Sequence, residues 1–155
     1  MSNNTNNNYW GNITWKFLHT MIEKIKEEEY DNERKNLLIF VKKVCDKLPC
    51  PDCRFHANTY MRRFNITHIK TKQEFKYIIY NLHNEVNKRL KKDIPGKDIL
   101  DEYKENKFIP VIKNFIQVFS RPISNNRLMM DSLNRNFFMK ELLAYFNENI
   151  HKFDE

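Results

Sequence analysis

The amino-acid sequence predicts an all-α protein, on three observations. Two glycines in 155 residues leave no GxGxxG or GxxxxGK[ST] phosphate loop and too few turn residues for a hairpin-rich β fold. A composition that is 41% hydrophobic and 14% aromatic supplies a real core. Apolar side chains then recur at three and four residues, the helical period. The first helix is expected from about Gly11 to Glu29, with Trp15, Leu18, His19, Ile22 and Ile25 on one face. The second spans about Glu33 to Lys47, with Leu37, Leu38, Val41, Val44 and Cys45 on its apolar side. The third begins at Pro51 and carries Cys53, His56, Ala57, Tyr60, Met61 and Phe64 along one stripe. The fourth opens with a capping box, Thr71 to Glu74, and runs through Phe75, Ile78, Ile79, Leu82, Val86 and Leu90. Short connections make consecutive helices antiparallel neighbours, which is four-helix-bundle geometry. A short fifth helix is expected at Asp98–Lys107. A helical C-terminal extension follows, with Pro110 at the first position of one helix, a polar loop after Pro122, and a last helix near Asn134–Asn149. Residues 1–8 read as a disordered, Asn-rich lead-in.

The net charge is +7, and residues 60–100 hold most of it, with 10 basic and 4 acidic side chains. So localised an excess suits a small anionic ligand as well as a nucleic-acid backbone. No stretch approaches the ~20 apolar residues of a membrane span, and the N-terminus lacks the features of a secretion signal. The expected protein is soluble and intracellular.

Chemistry concentrates in three stretches. In Leu48-Pro49-Cys50-Pro51-Asp52-Cys53, Pro51 fits the first helical position, so Cys50 is the N-cap and Cys53 lies in the first turn. Unbonded amides and the positive end of the helix dipole favour a thiolate there. A redox dithiol in a helical domain fits best. A zinc site would need His56 and His68 at unusual spacing, and a thioredoxin-type domain would need a preceding strand. In His83-Asn84-Glu85-Val86-Asn87, His83 and Asn87 stand one turn apart on the same face, next to Lys88, Arg89, Lys91 and Lys92. This is either a helix end with a basic last turn or the wall of a pocket for a planar, phosphate-bearing ligand. In Trp10-Gly11-Asn12-Ile13-Thr14-Trp15, followed by Leu18-His19, the aromatic rings serve either the core or the same pocket.

Taken together, WGNITWKFLH at 10–19, LPCPDC at 48–53 and HNEVNKRL at 83–90 resemble, in order, the motifs of the Erv/ALR sulfhydryl oxidases, the FAD-linked thiol oxidases. The stretch from His56 to Tyr60 is similar to the short forms encoded by large DNA viruses. The resemblance covers roughly residues 9–107. It implies a sulfhydryl oxidase domain at 9–108, a four-helix bundle with a short fifth helix, followed by the extension at 109–155. It further implies FAD held by Trp15, His19, His83, Asn84 and Asn87, with Gly11, Tyr60, Val86, Leu90 and Lys92 lining the site and Tyr103 near the adenine. No resident metal is implied. A substrate thiolate would attack Cys50 and release Cys53, which lies nearer the flavin, and oxygen would end as hydrogen peroxide. Implied partners are protein thiols (through a thioredoxin-like carrier in some settings) and a second copy of the chain, with no nucleic acid and no membrane. The implied setting is the cytoplasm of a virus-infected host or the virion, or else the mitochondrial intermembrane space. The rival is a zinc-stabilised helical module with a basic, nucleic-acid-contacting face. Asp93 stands where the family often has proline, and the family's bracing and shuttle cysteines are missing.

Two expectations complete the sequence analysis. Cys45 shares the apolar face of the second helix and is expected to be structural. The extension's apolar stripes must be buried on the bundle or on a second subunit, and a chain ending after Lys107 is expected to keep its cofactor.

Overall fold

The computed structural model describes residues 3–121 and 129–155, and its elements follow from local signals. α1 (Asn3–Lys24) is followed directly by α2 (Glu27–Asp46), whose first turn holds Glu27, Glu28 and Glu29, acids that suit the positive end of a helix. α3 (Pro51–Met61) starts with proline in its first turn, and α4 (Lys72–Arg89) starts at the expected capping box. There the Glu74 amide donates to Thr71 Oγ1 at 3.1 Å, and the Thr71 amide donates to Glu74 Oε2 at 2.9 Å. α5 (Phe108–Phe119) and α6 (Met129–Asn149) complete the set, with short 3-10 helices at Ile66–His68, Lys97–Glu105 and Ile150–Lys152. Among the described residues there is no strand, and none of their helices is long and apolar enough to cross a membrane.

Several boundaries differ from expectation. From Asn3 onward the lead-in forms the opening turns of α1 rather than a disordered arm; adding a turn to an existing ladder is far easier than nucleating one. The first helix ends at Lys24, not Glu29, and the second begins at Glu27, not Glu33. The expected fifth helix is a 3-10 segment, whose three-residue turn aligns buried Leu100 with half-buried Tyr103 on one line. Pro110 is the third residue of α5, which starts at buried Phe108; proline is tolerated there because first-turn amides have no partner within the helix. The last helix begins at Met129, and the loop after Pro122 lies outside the described residues.

Packing makes the helices one body. α4 runs antiparallel to α1: Trp15 and His19 meet His83, and Glu23 pairs with Lys76. α5 lies along another face of α1, with Phe115 stacked on Phe17 at 4.2 Å. α6 runs antiparallel to α2, where Phe138 and Tyr145 meet Phe40, and Lys43 pairs with Glu141 at 2.6 Å. Phe108 and Phe146 join Phe17, Leu37 and Phe75 in a single hydrophobic core. Buried Glu33 accepts from Tyr145 (2.5 Å), Asn36 (3.2 Å) and Lys152. Burial opposes its ionisation, but those hydrogen bonds outweigh it and hold the carboxyl below its ordinary range. The extension is thus built into the bundle's own core.

Candidate functional site

Cys50 caps α3 from an extended backbone conformation, and its sulfur accepts the Cys53 amide at 3.3 Å. Its carbonyl accepts the Arg54 amide at 3.0 Å. Both cysteines are half-buried free thiols. The expected thiolate support is therefore aimed at the Cys50 sulfur. Cys53 departs from that expectation: burial first, then the hydrogen bond and charge of the neighbouring Cys50, push its thiol up to about 12. The pair is asymmetric, with one sulfur receiving a helix-end amide and one held as a neutral thiol.

Four rings from α1, α4 and the 3-10 segment form a column of two stacked pairs, joined by the tilted rings of His19 and His83, 43° apart. Trp15 stacks on His83 with ring centres 4.3 Å apart and planes 13° apart. His83 Nδ1 and His19 Nε2 share a hydrogen bond of 3.1 Å. Tyr103, from the 3-10 segment, stacks on His19 at 4.4 Å and 13°. Burial, then the charges of His83 and Lys76, lower His19 to about 3; burial, then Lys92, lowers His83 to about 4. Both imidazoles are neutral at pH 7, so one donates and the other accepts.

This pair makes stability depend on pH. The folded values lie below 6.5, so as pH falls through 6.5 the unfolded chain takes up protons that the folded chain refuses. Stability should fall from pH 6.5 downward, by roughly 1.4 kcal/mol per pH unit for each histidine, less for the partly open His83. Melting between pH 7 and about 5.5, above most carboxylate titration, reads this directly. His19→Gln should flatten the slope, whereas a wild-type Tm constant across that window would contradict it.

The remaining site residues fall into distinct places. Asn87 donates to Asn84 Oδ1 at 3.3 Å, one turn along α4 from the rings. Tyr60 and Val86 line a cavity of about 270 Å³ between α3 and α4, together with His56, Arg63, Leu82 and Arg89. A Cβ placed on Gly11 would meet nothing within 4 Å, so open space adjoins the Trp10–Trp15 turn. Leu90 and Lys92 lie just past the end of α4 and are exposed, with the Lys92 charge near enough to act on His83 in the ring column. Sequence analysis named Arg89 as part of the basic end of α4 but passed over Arg63, which stands three residues beyond Tyr60; that one-turn spacing was the available signal. Arg63 stacks over the Tyr60 ring at 4.5 Å.

Two other residues settle into structural roles. Cys45 is 2% exposed, and burial, then the Asp46 charge, push its thiol up to about 12. Cys45→Ala should cost about 1 kcal/mol of stability and leave the reactivity of Cys50 and Cys53 toward thiol reagents unchanged; an altered alkylation rate at that pair would contradict the structural role. His68 Nδ1 accepts the Asn65 amide at 3.1 Å, closing a second capping box. Among the described residues no three His, Cys, Asp or Glu side chains converge on a possible metal position.

Comparison with known proteins follows the same stretches. A family model described as "Erv1 / Alr family" matches residues 12–109. An FAD-linked sulfhydryl oxidase of African swine fever virus is 30% identical over 86 residues, covering 56% of this chain and 71% of that protein. The FAD-linked sulfhydryl oxidase ERV2 of Saccharomyces cerevisiae is 28% identical over 96 residues, covering 60% of this chain and 47% of its own length. No solved structure gives a significant match.

Proposed function

The chain belongs to the Erv1/Alr family, and on that premise we propose that it is an FAD-dependent thiol oxidase that forms disulfide bonds in protein substrates. The observation that carries the reading is the asymmetric cysteine pair at the start of α3, combined with the neutral ring column of α1 and α4. The donor set fits FAD. Half-buried Trp15 and Tyr103, at the ends of the ring column, offer flat aromatic surface to a planar heterocycle, the Asn84–Asn87 pair offers amide donors and acceptors, and Arg63 and Arg89 suit a diphosphate. Trp15, His19, His83, Asn84 and Asn87 would hold the cofactor. Gly11, Tyr60, Val86, Leu90, Lys92 and Tyr103 belong to the same proposal.

Within the chain, Cys50 receives the substrate. In the oxidised pair, a substrate thiolate attacks the Cys50 sulfur, forms a mixed disulfide and releases Cys53. A second substrate thiol attacks the mixed disulfide and leaves with the first as a disulfide, so two electrons and two protons reach the pair. Neutral His19, buried, and neutral His83, half-buried, bind and orient without adding a cation. When bound, FAD supplies the two-electron chemistry that connects the reduced pair to oxygen, with hydrogen peroxide as product.

Finer parts of the proposal rest on the family. Protein thiols, directly or through a thioredoxin-like carrier, are the substrates, and the viral relative favours the host cytoplasm. A homodimer belongs here as well. α5 covers one face of α1 and α6 covers α2, so two copies would have to meet on other surfaces. Oxygen uptake in the presence of a reduced protein substrate tests the activity: two thiols should disappear per oxygen, with one hydrogen peroxide formed. Thiol loss no faster than in buffer would overturn it.

A further inference from the structure

The C-terminal extension reaches the redox turn. Arg54, next to Cys53, pairs through Nη1 with Asp131 Oδ2 at 3.1 Å, across 77 positions of sequence. Asp131 lies in the first turn of α6, and Arg135, one turn on and 2% exposed, donates to Ser132 Oγ at 3.0 Å. Burial works against the Arg135 charge, Asp131 supports it, and Arg54 opposes it, so the three groups share one field. Other charges around this turn are Asp52 on α3 and Asp46 and Lys47 at the end of α2, which pair with each other at 3.3 Å. Arg54 sits between the two systems: its amide is bonded to the Cys50 carbonyl and its guanidinium to α6.

We propose that Asp131 is a positioning residue for the redox pair: through Arg54 it ties α6 to the first turn of α3 and sets how much positive charge the cysteines meet. The proposal rests on the oxidase reading only for its consequence in turnover; the electrostatic claim concerns the cysteines themselves. The relevant equilibrium is protein disulfide plus two glutathione giving protein dithiol plus glutathione disulfide. The disulfide is neutral, whereas the reduced pair carries negative charge to the extent that a thiolate forms. Positive charge nearby therefore favours the reduced form, and Asp131 restrains that effect by neutralising Arg54.

The two halves of the ion pair then predict opposite results. Asp131→Asn leaves Arg54 and Arg135 uncompensated, so the pair becomes more oxidising. The ratio of squared glutathione to its disulfide at half-reduction should fall by roughly threefold to tenfold. Arg54→Gln removes a positive charge and should raise that ratio by a similar factor. Asp131→Glu and Arg54→Lys keep the charges and should stay within about twofold of wild type. The full-length protein is equilibrated with glutathione buffers under nitrogen, then thiols are alkylated and counted by mass, so no flavin turnover is needed. A merely structural ion pair would respond in the same direction whichever half is lost. Shifts of the same sign, or shifts under twofold in both charge-removing variants, overturn the proposal. If one of them fails to fold, the sign of the other decides alone. Colourless wild-type protein would defeat the oxidase reading while leaving this titration intact.

Discussion

Cys50→Ala and Cys53→Ala should each lower oxidase turnover by roughly a thousandfold or more, because each removes one sulfur of the disulfide that accepts the substrate's electrons. Flavin should stay bound in both, since the ring column of Trp15, His19, His83 and Tyr103 involves neither sulfur. The two variants should differ from each other in one assay. Cys53→Ala keeps the sulfur that caps α3, so glutathione disulfide should convert it to a stable mixed disulfide at Cys50. Cys50→Ala keeps only the sulfur that burial and its neighbour push up to about 12 in the intact pair. At pH 8 a thiol of that pKa is roughly 10⁻⁴ ionised, although losing Cys50 relieves part of the shift. Adduct formation should therefore be far slower, and mass spectrometry over a time course distinguishes the two. Equal trapping rates would contradict the asymmetry, and retained turnover in either variant would remove the pair from the chemistry.

Truncation after Lys107 should abolish cooperative folding. Ile13, Phe17, Ile25 and Phe40 are each under 9% exposed, and each is covered in part by the extension. Phe115 and Phe146 cover Phe17, Phe138 and Tyr145 cover Phe40, Val111 lies beside Ile13, and Phe153 pairs with Ile25. At roughly 1.5–3 kcal/mol for each side chain returned to water, the loss approaches the ~5–15 kcal/mol that holds a domain folded. Glu33 also loses Tyr145 and Lys152. The expectation of a truncated chain that keeps its cofactor therefore gives way to one that does not fold alone. A sharp thermal transition in the truncated chain within a few degrees of full length would contradict this.

What was legible in the sequence was local. Thr71 and Glu74 announce α4 because a capping box is made by residues three apart, and Pro51 announces α3 for a similar reason. The α1–α2 boundary was misplaced because its cause is distant. At that corner the Lys26 amide donates to the Lys152 carbonyl at 3.0 Å, and the Asp154 amide donates to the Lys24 carbonyl at 2.7 Å. A tail some 125 positions away thus occupies the backbone groups exposed where α1 ends. The site divides in the same way. Periodicity put Trp15 and His19 on one face, but only the family resemblance selected Tyr103, whose ring reaches His19 from another element. The Arg54–Asp131 contact carried no sequence signal, since no spacing rule links residues 77 apart.

The central claim is that the cysteine pair of α3 works with a flavin held by this chain, and one anaerobic titration addresses it. The purified full-length protein should be yellow, and dithiothreitol under nitrogen should bleach its visible flavin absorbance in wild type but not in Cys50→Ala. Admitting air should restore the colour. A colourless protein, or a flavin that dithiothreitol bleaches equally well without Cys50, would contradict the account.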